Sequence, residues 1–264
     1  AYGSPLGLGS DLGGSIRIPA HFCGVCGLKP TNHRLTKIGT VENLHGMESL
    51  QFQPGPLARR VEDLAAAMAV IAGGKDWATD IHVAPTTWPE FSRVQVEKLR
   101  IGVVSDDGYA SPHPAIGRAV DEAAAALASA GAEVEKIEPP DVSEGMSLYF
   151  GLLGADGAAC FRRLVRGSKV DPRVASILRL GGTARWLRPA MATGLRLQGK
   201  QQLADLVLAA GPRKADEYWQ LTYQAKQFVT RYLNMLAERC IDAVICPPHA
   251  TPAFGHGEGT PDSL

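Results

Sequence analysis

The run from Gly3 to Thr31, GSPLGLGSDLGGSIRIPAHFCGVCGLKPT, holds Gly3, Gly7, Gly9, Gly13, Gly14, Gly24 and Gly27. Glycine supplies left-handed backbone and lets a second group approach the main chain closely. The spacing around Asp11-Leu12-Gly13-Gly14-Ser15 predicts a tight turn with several N–H groups turned outward. Ser15 ends that turn, just before Ile16-Arg17-Ile18. A hydroxyl beside a cluster of amides is what acyl transfer needs, a nucleophile and an oxyanion hole together. A plain strand-to-helix turn with a capping serine is the alternative. A phosphate loop fits poorly, because no Lys-Ser/Thr pair follows the glycines and Gly7-Leu8-Gly9 lacks a glycine at the dinucleotide spacing. The G-x-S-x-G elbow is also absent, since Gly13 precedes Ser15 but Arg17 follows it.

The stretch from Ser4 to Arg34 resembles the signature of the amidase-signature family of serine hydrolases. Its phrases SPLGLGSDLGGSIRIP, FCGVCGLKPT and RLTKIG are most similar to the fatty acid amide hydrolase branch. Looser likeness continues through Gly55-Pro56-Leu57-Ala58-Arg59, Val61-Glu62-Asp63 and Asp242-Ala243-Val244-Ile245-Cys246-Pro247. The resemblance implies an α/β fold, an α/β/α layered arrangement with a mixed central sheet that is incomplete in this chain. It implies a triad of lysine, cis-serine and nucleophilic serine, with the nucleophile at Ser15. It places oxyanion-hole amides at Leu12, Gly13, Gly14 and Ser15, and loop-supporting residues at Asp11 and Arg17. The family's cis-serine and lysine precede the motif by more residues than the chain has before it. Residues 1–264 are therefore expected to be an internal piece of a longer amidase domain, inactive or nearly so by itself. Lys29 follows the nucleophile and is expected to be structural. His33 stands where many relatives carry glycine, which predicts an altered local turn.

The 264 residues carry 27 basic and 27 acidic side chains and are 45% hydrophobic, which fits one ordinary soluble domain with a sizeable core. Zero net charge argues against a nucleic-acid footprint. No apolar run reaches membrane-spanning length, and no signal segment opens the chain. The cysteines are Cys23, Cys26, Cys160, Cys240 and Cys246. Their odd number and uneven spacing give no disulfide framework, and Cys23-Gly-Val-Cys26 lacks the second pair a zinc ribbon needs. Reduced thiols fit a cytoplasmic compartment. The histidines, His21, His33, His45, His82, His113, His249 and His256, show no metalloprotease spacing. No metal or cofactor is expected.

Along the chain, Pro19 limits any helix after Ser15, and Cys23–Leu28 is a candidate buried strand. Residues 36–56 look irregular. Val61, Leu64, Ala65, Met68 and Ile71 share one face of a helix over Arg59–Ala72, closed by Gly73-Gly74. Residues 75–98 form a loop. Leu99–Val104, Pro114–Ala130 and Ala132–Ile137 make a β-α-β unit with parallel strands. Residues 143–239 are mostly helical, with candidates at Met146–Val165, Pro172–Leu180 and Lys214–Cys240, followed by a strand at Ala243–Cys246. Residues 182–212 mix apolar side chains with Arg185, Arg188, Arg196 and Lys200. Such a stretch either packs on the domain or lies on a membrane surface, and the resemblance implies a membrane-docking cap here.

The expected function is amide hydrolysis through an acyl-enzyme on Ser15, with a fatty acid amide as one substrate. The alternatives are a non-catalytic scaffold and a glutamine-hydrolysing component of an amidotransferase. The expected partner is a small-molecule amide and no nucleic acid, with peripheral membrane contact through 182–212 and a homodimer as further options.

Overall fold

The computed structural model describes residues 3–40, 46–72, 78–256 and 258. They pack as two compact units. One comprises Ala1–Thr40, Gln51–Ile137 and Ile241–Gly255; the other comprises Val41–Leu50, Glu138–Cys240 and His256–Leu264.

The first unit holds all six described strands, in two three-stranded sheets. The antiparallel sheet has the order β1 (Leu6–Asp11), β3 (Gln53–Ala58), β2 (Cys26–Gly27). β3 begins inside the stretch (36–56) that the sequence presents as irregular, because Pro54 and Pro56 argue against a central strand. Its prolines are tolerated for a geometric reason. A strand residue's N–H and C=O point the same way. The Pro56 carbonyl accepts from Leu28 N–H at 3.0 Å, so the missing N–H of Pro56 also faces β2. Pro54, two residues away, faces the same side beyond the end of the two-residue β2. Gln53, Gly55 and Leu57 pair with Asp11, Gly9 and Gly7 of β1.

Between β1 and β2 lies α1 (Arg17–Cys23). Pro19 sits in its first turn, where the N–H would have no intrahelical partner, so the helix survives it. Gly24 closes α1 at φ 63. The expected strand at Cys23–Leu28 thus shrinks to Cys26–Gly27. His33 adopts φ 67, the left-handed region that glycine enters freely, and its ring lies 5.6 Å from that of His82. α2 (Val61–Ile71) buries Leu64, Ala67 and Met68, and Met68 packs with Leu35 and Ala72. The expected Gly73-Gly74 stop and His45 lie outside the described residues.

The parallel sheet has the order β5 (Glu133–Lys136), β4 (Arg100–Val103), β6 (Ala243–Ile245). α3 (Pro114–Ser129) crosses from β4 to β5, as the β-α-β pattern predicts. The two strand directions expected of a mixed sheet are therefore divided between two sheets among the described residues.

The regular elements among the described residues of the second unit are helices. It contains α4 (Val142–Leu153), α5 (Ala159–Leu164), α6 (Pro172–Gly182), α7 (Arg188–Leu197), α8 (Gln201–Ala209) and α9 (Ala215–Glu238). The single helix expected over Met146–Val165 is broken into α4 and α5, because Gly157 and Ala158 take φ 60 and 64.

Candidate active site

The glycine-rich turn wraps around one carboxylate. β1 delivers Asp11 into the interior, where it is 0% exposed. Its Oδ1 accepts from Gly14 N–H at 2.7 Å, and its Oδ2 accepts from Ile16 N–H at 3.1 Å and Arg17 N–H at 3.2 Å. Arg17 adds a two-pronged contact, Nε to Oδ2 and Nη2 to Oδ1, both at 3.0 Å. Forked arginine–carboxylate contacts fix geometry as well as contribute energy. Gly14 takes φ +111, and a Cβ there would stand 2.5 Å from Ile18 Cδ1. Ile18 N–H then donates to Gly14 O at 2.7 Å and Ala20 N–H to Ile16 O at 3.0 Å, which starts α1.

Burial by itself would raise the Asp11 pKa, but the Arg17 guanidinium and the three N–H donors outweigh it and hold the carboxyl well below its usual range. A carboxylate with a lowered folded-state pKa contributes stability that is complete above the unfolded pKa and is lost only as pH falls through the folded one. Since an ordinary Asp titrates near ~3.9, the turn should persist well into acid. A carbon-detected titration is expected to find Asp11 still ionised at about pH 3; a midpoint near the ordinary Asp value would show that the Arg17 clamp does not form.

Ile16, 0% exposed, anchors the turn from below. Its side chain rests on three glycines, one from each strand of the antiparallel sheet. A Cβ at Gly9 would lie 3.3 Å from Ile16 Cγ1, at Gly27 2.9 Å from Ile16 Cγ2, and at Gly55 3.1 Å from Ile16 Cδ1. The sequence places Gly9 in a glycine-rich turn and Gly55 in an irregular stretch, yet Gly9, Gly27 and Gly55 are all paired strand residues whose missing side chains make the socket. Ile16 was not legible as a site residue, because its apolar side chain carries no chemistry.

Next to that anchor, Ser15 is exposed, and among the described residues its hydroxyl has no hydrogen-bond partner. Of the four N–H groups that the resemblance singles out, Gly14 donates to Asp11. Among the described residues no hydrogen bond engages the N–H of Leu12, Gly13 or Ser15. The turn therefore brings together an exposed hydroxyl, three amides without partners among the described residues and a rigid ionic support.

Lys29 donates to Asn32 Oδ1 at 3.1 Å and to Pro30 O at 3.5 Å, so it ties its own turn. Burial pulls its ammonium below the ordinary lysine value; the Asp11 charge opposes this and the Arg17 charge adds to it. The C-terminal part of the same unit packs on α1. Phe22 makes edge contacts with His249 and Phe254, each at 5.2 Å between centroids, and His249 Nδ1 accepts from Thr251 N–H at 3.1 Å. All five cysteines are free thiols.

The 182–212 stretch becomes a short 3-10 turn, α7 and α8, and its basic face is not what the sequence suggests. Arg188 is 2% exposed. Arg196 pairs with Asp205 at 3.1 Å and Arg185 with Glu217 at 2.6 Å. Trp186 and Leu197 project into solvent, 78% and 85% exposed. No helix among the described residues is long and apolar enough to cross a membrane.

Known proteins share this arrangement of sequence and fold. The Amidase family model matches residues 1–263. Fatty-acid amide hydrolase 1 of Sus scrofa is 32% identical over 256 residues, which is 96% of this chain and 44% of that protein. A glutamyl-tRNA(Gln) amidotransferase component from Picosynechococcus sp. is 31% identical over 266 residues, 99% of this chain and 53% of that protein. Among solved structures, a fatty acid amide hydrolase superposes with a TM-score of 0.77 at 26% identity, over 94% of this chain and 40% of that one. The chain thus spans about half the length of the curated relatives it matches.

Proposed function

The chain belongs to the amidase family, and from that premise we propose that it carries the nucleophile and oxyanion hole of an amide hydrolase. Ser15 Oγ adds to the amide carbonyl carbon as its proton passes to a base. The N–H groups of Leu12, Gly13 and Ser15 receive the oxyanion, while Gly14 N–H stays on Asp11 and keeps the turn in shape. Collapse breaks the C–N bond, the amine leaves with a proton, and water releases the acyl group from Ser15. Preorganised donors of this kind are worth ~10²–10³ in rate each. The observation that carries the proposal is the exposed Ser15 hydroxyl beside amides that have no partners among the described residues.

A serine hydroxyl is a weak nucleophile at neutral pH unless a base activates it. No base touches Ser15 among the described residues, and Lys29 is occupied by its own turn. We therefore place the base in sequence outside these 264 residues, consistent with relatives about twice as long. A fluorophosphonate probe on the longer parent protein is expected to label Ser15, and Ser15→Ala is expected to abolish the labelling. The 264-residue chain is expected to label at least ~100-fold more slowly, the scale of a lost general base. Parent protein that stays unlabelled while folded would support a scaffold role instead.

A linear amide is the substrate class, with fatty acid amides put forward on the likeness to the porcine enzyme. The amidotransferase component is nearly as similar. Hydrolysis of glutamine but not of a fatty amide by the parent would select that second function. Membrane contact through 182–212, if made, rests on Trp186 and Leu197 rather than on basic charge, because Arg185, Arg188 and Arg196 are already engaged. The free cysteines support a reducing, cytoplasmic compartment.

A further inference from the structure

A second concavity lies wholly within the helical unit. It is a cleft of about 690 Å³ walled by α4, α7, α8, α9 and the residue that leads into α9, Arg213. Its apolar floor is Leu148, Leu208 and Leu221, and its polar rim includes Gln224 and Gln227. Three arginines and two carboxylates also line it, and the pairing among them is uneven. Arg231 Nη2 reaches both oxygens of Glu144, at 2.7 and 2.6 Å. Arg196 pairs with Asp205, which Gln201 also holds at 3.1 Å. Arg213 has no carboxylate of its own among the described residues. Its Nη2 donates to the Ala209 carbonyl at 2.6 Å, its buried Nε has no partner, and among the described residues it makes no ion pair. Glu217, whose charge it feels, is taken up by Arg185 and by Lys214 N–H.

The wall therefore carries one more cation than anion, and the surplus sits on a half-buried guanidinium above a leucine floor. Removing such a charge from water without a partner is costly. A guanidinium is suited to a planar carboxylate, which it meets with two parallel N–H groups. The leucines favour an apolar chain on the same ligand.

We propose that this cleft binds a carboxylate carrying an apolar tail, with the head group on Arg213 and the tail along Leu148, Leu208 and Leu221. The site is independent of the Ser15 turn and needs no hydrolytic activity.

Decanoate titrated into the 264-residue chain by calorimetry tests this. One decanoate per chain is expected, with Arg213→Gln weakening it at least ~10-fold, the usual scale for losing a charge-assisted contact, and Arg213→Lys retaining part of it. Decanamide, with the same tail and no charge, is expected to bind at least ~10-fold less well than decanoate on the same grounds. Gln224 is exposed, so Gln224→Glu should leave the fold intact, place a repelling carboxylate in the rim and weaken decanoate. This variant decides the matter should Arg213→Gln melt early. Ser15→Ala is expected to bind decanoate as the wild type does. Equal affinity for decanoate and decanamide, no effect of Gln224→Glu, loss of binding in Ser15→Ala, or no binding of decanoate would each overturn the proposal.

Discussion

Gly55→Ala is expected to unfold the strand-bearing unit, whereas Gly7→Ala, in the neighbouring strand, is expected to be nearly silent. Both glycines lie in the β1–β3 ladder, and neither has a left-handed φ. They differ in what a methyl group would meet. At Gly55 a Cβ would fall 2.0 Å from the Leu28 carbonyl oxygen, 2.9 Å from Pro30 Cδ and 3.1 Å from Ile16 Cδ1. The first of these is main chain, and Leu28 is held by its own N–H bond to Pro56 O at 3.0 Å. The methyl can be accommodated only by parting β2 from β3 or by lifting Ile16 from its socket. At Gly7 nothing lies within 4 Å. Overpacking usually costs about 1–3 kcal/mol, and a clash against fixed backbone goes beyond that, so more than ~4 kcal/mol is expected for Gly55→Ala. For Gly7→Ala the change should stay within ~1 kcal/mol of zero. Urea unfolding of the two variants checks this, and Gly55→Ala unfolding at the same midpoint as Gly7→Ala would remove the socket from the account. The consequence for chemistry is direct, because Ile16 is bonded to Ser15. Any Gly55→Ala protein that remains folded should react with a fluorophosphonate far more slowly than wild type.

That socket shows where the sequence is informative and where it stops. The turn Asp11–Ser15 is legible because its residues are chemically unusual together, and the Asp11 carboxylate accepts five hydrogen bonds there, three of them from Arg17. The β-α-β unit is legible because its strands and helix follow the hydrophobic period. β3 is hidden, because two prolines conceal a central strand whose second neighbour is only two residues long. The engagement of Gly14 N–H by Asp11 is hidden too, since the spacing alone makes all four amides of the turn equivalent. Long-range geometry decides these points, and one strand's pattern does not contain its neighbour's length.

Arg188 is the other residue that the sequence misplaces, and it carries the second large expectation. Counted by composition, it is one more cation on an amphipathic surface. In the structure it is 2% exposed and donates to four main-chain carbonyls. Its Nη2 reaches Leu180 O at 2.7 Å and Thr183 O at 3.1 Å, and Nε also reaches Thr183 O at 3.2 Å. Its Nη1 reaches Val207 O at 3.0 Å, and Ala210 O as well. Leu180 and Thr183 end α6, and Val207 and Ala210 end α8. The last carbonyls of a helix lack intrahelical donors and carry the negative end of its dipole. One guanidinium thus closes two helices, and Gly211, at φ +134, lets the chain pass it, since a Cβ there would stand 2.7 Å from Arg188 Cζ. Arg188→Met keeps most of the volume and removes every donor. Stranding several buried acceptors costs about 1–3 kcal/mol each, part of it recovered where water enters, so a net loss of about 3–5 kcal/mol is expected. Arg188→Lys should recover little, because an ammonium on a flexible stem cannot reach both helix ends as a planar fork does. Urea unfolding followed by helical circular dichroism reads both variants. A midpoint for Arg188→Met equal to wild type, or full recovery in Arg188→Lys, would mean that the helix ends are satisfied without this side chain, and that Arg188 is free to serve the surface that its place in the sequence first suggests.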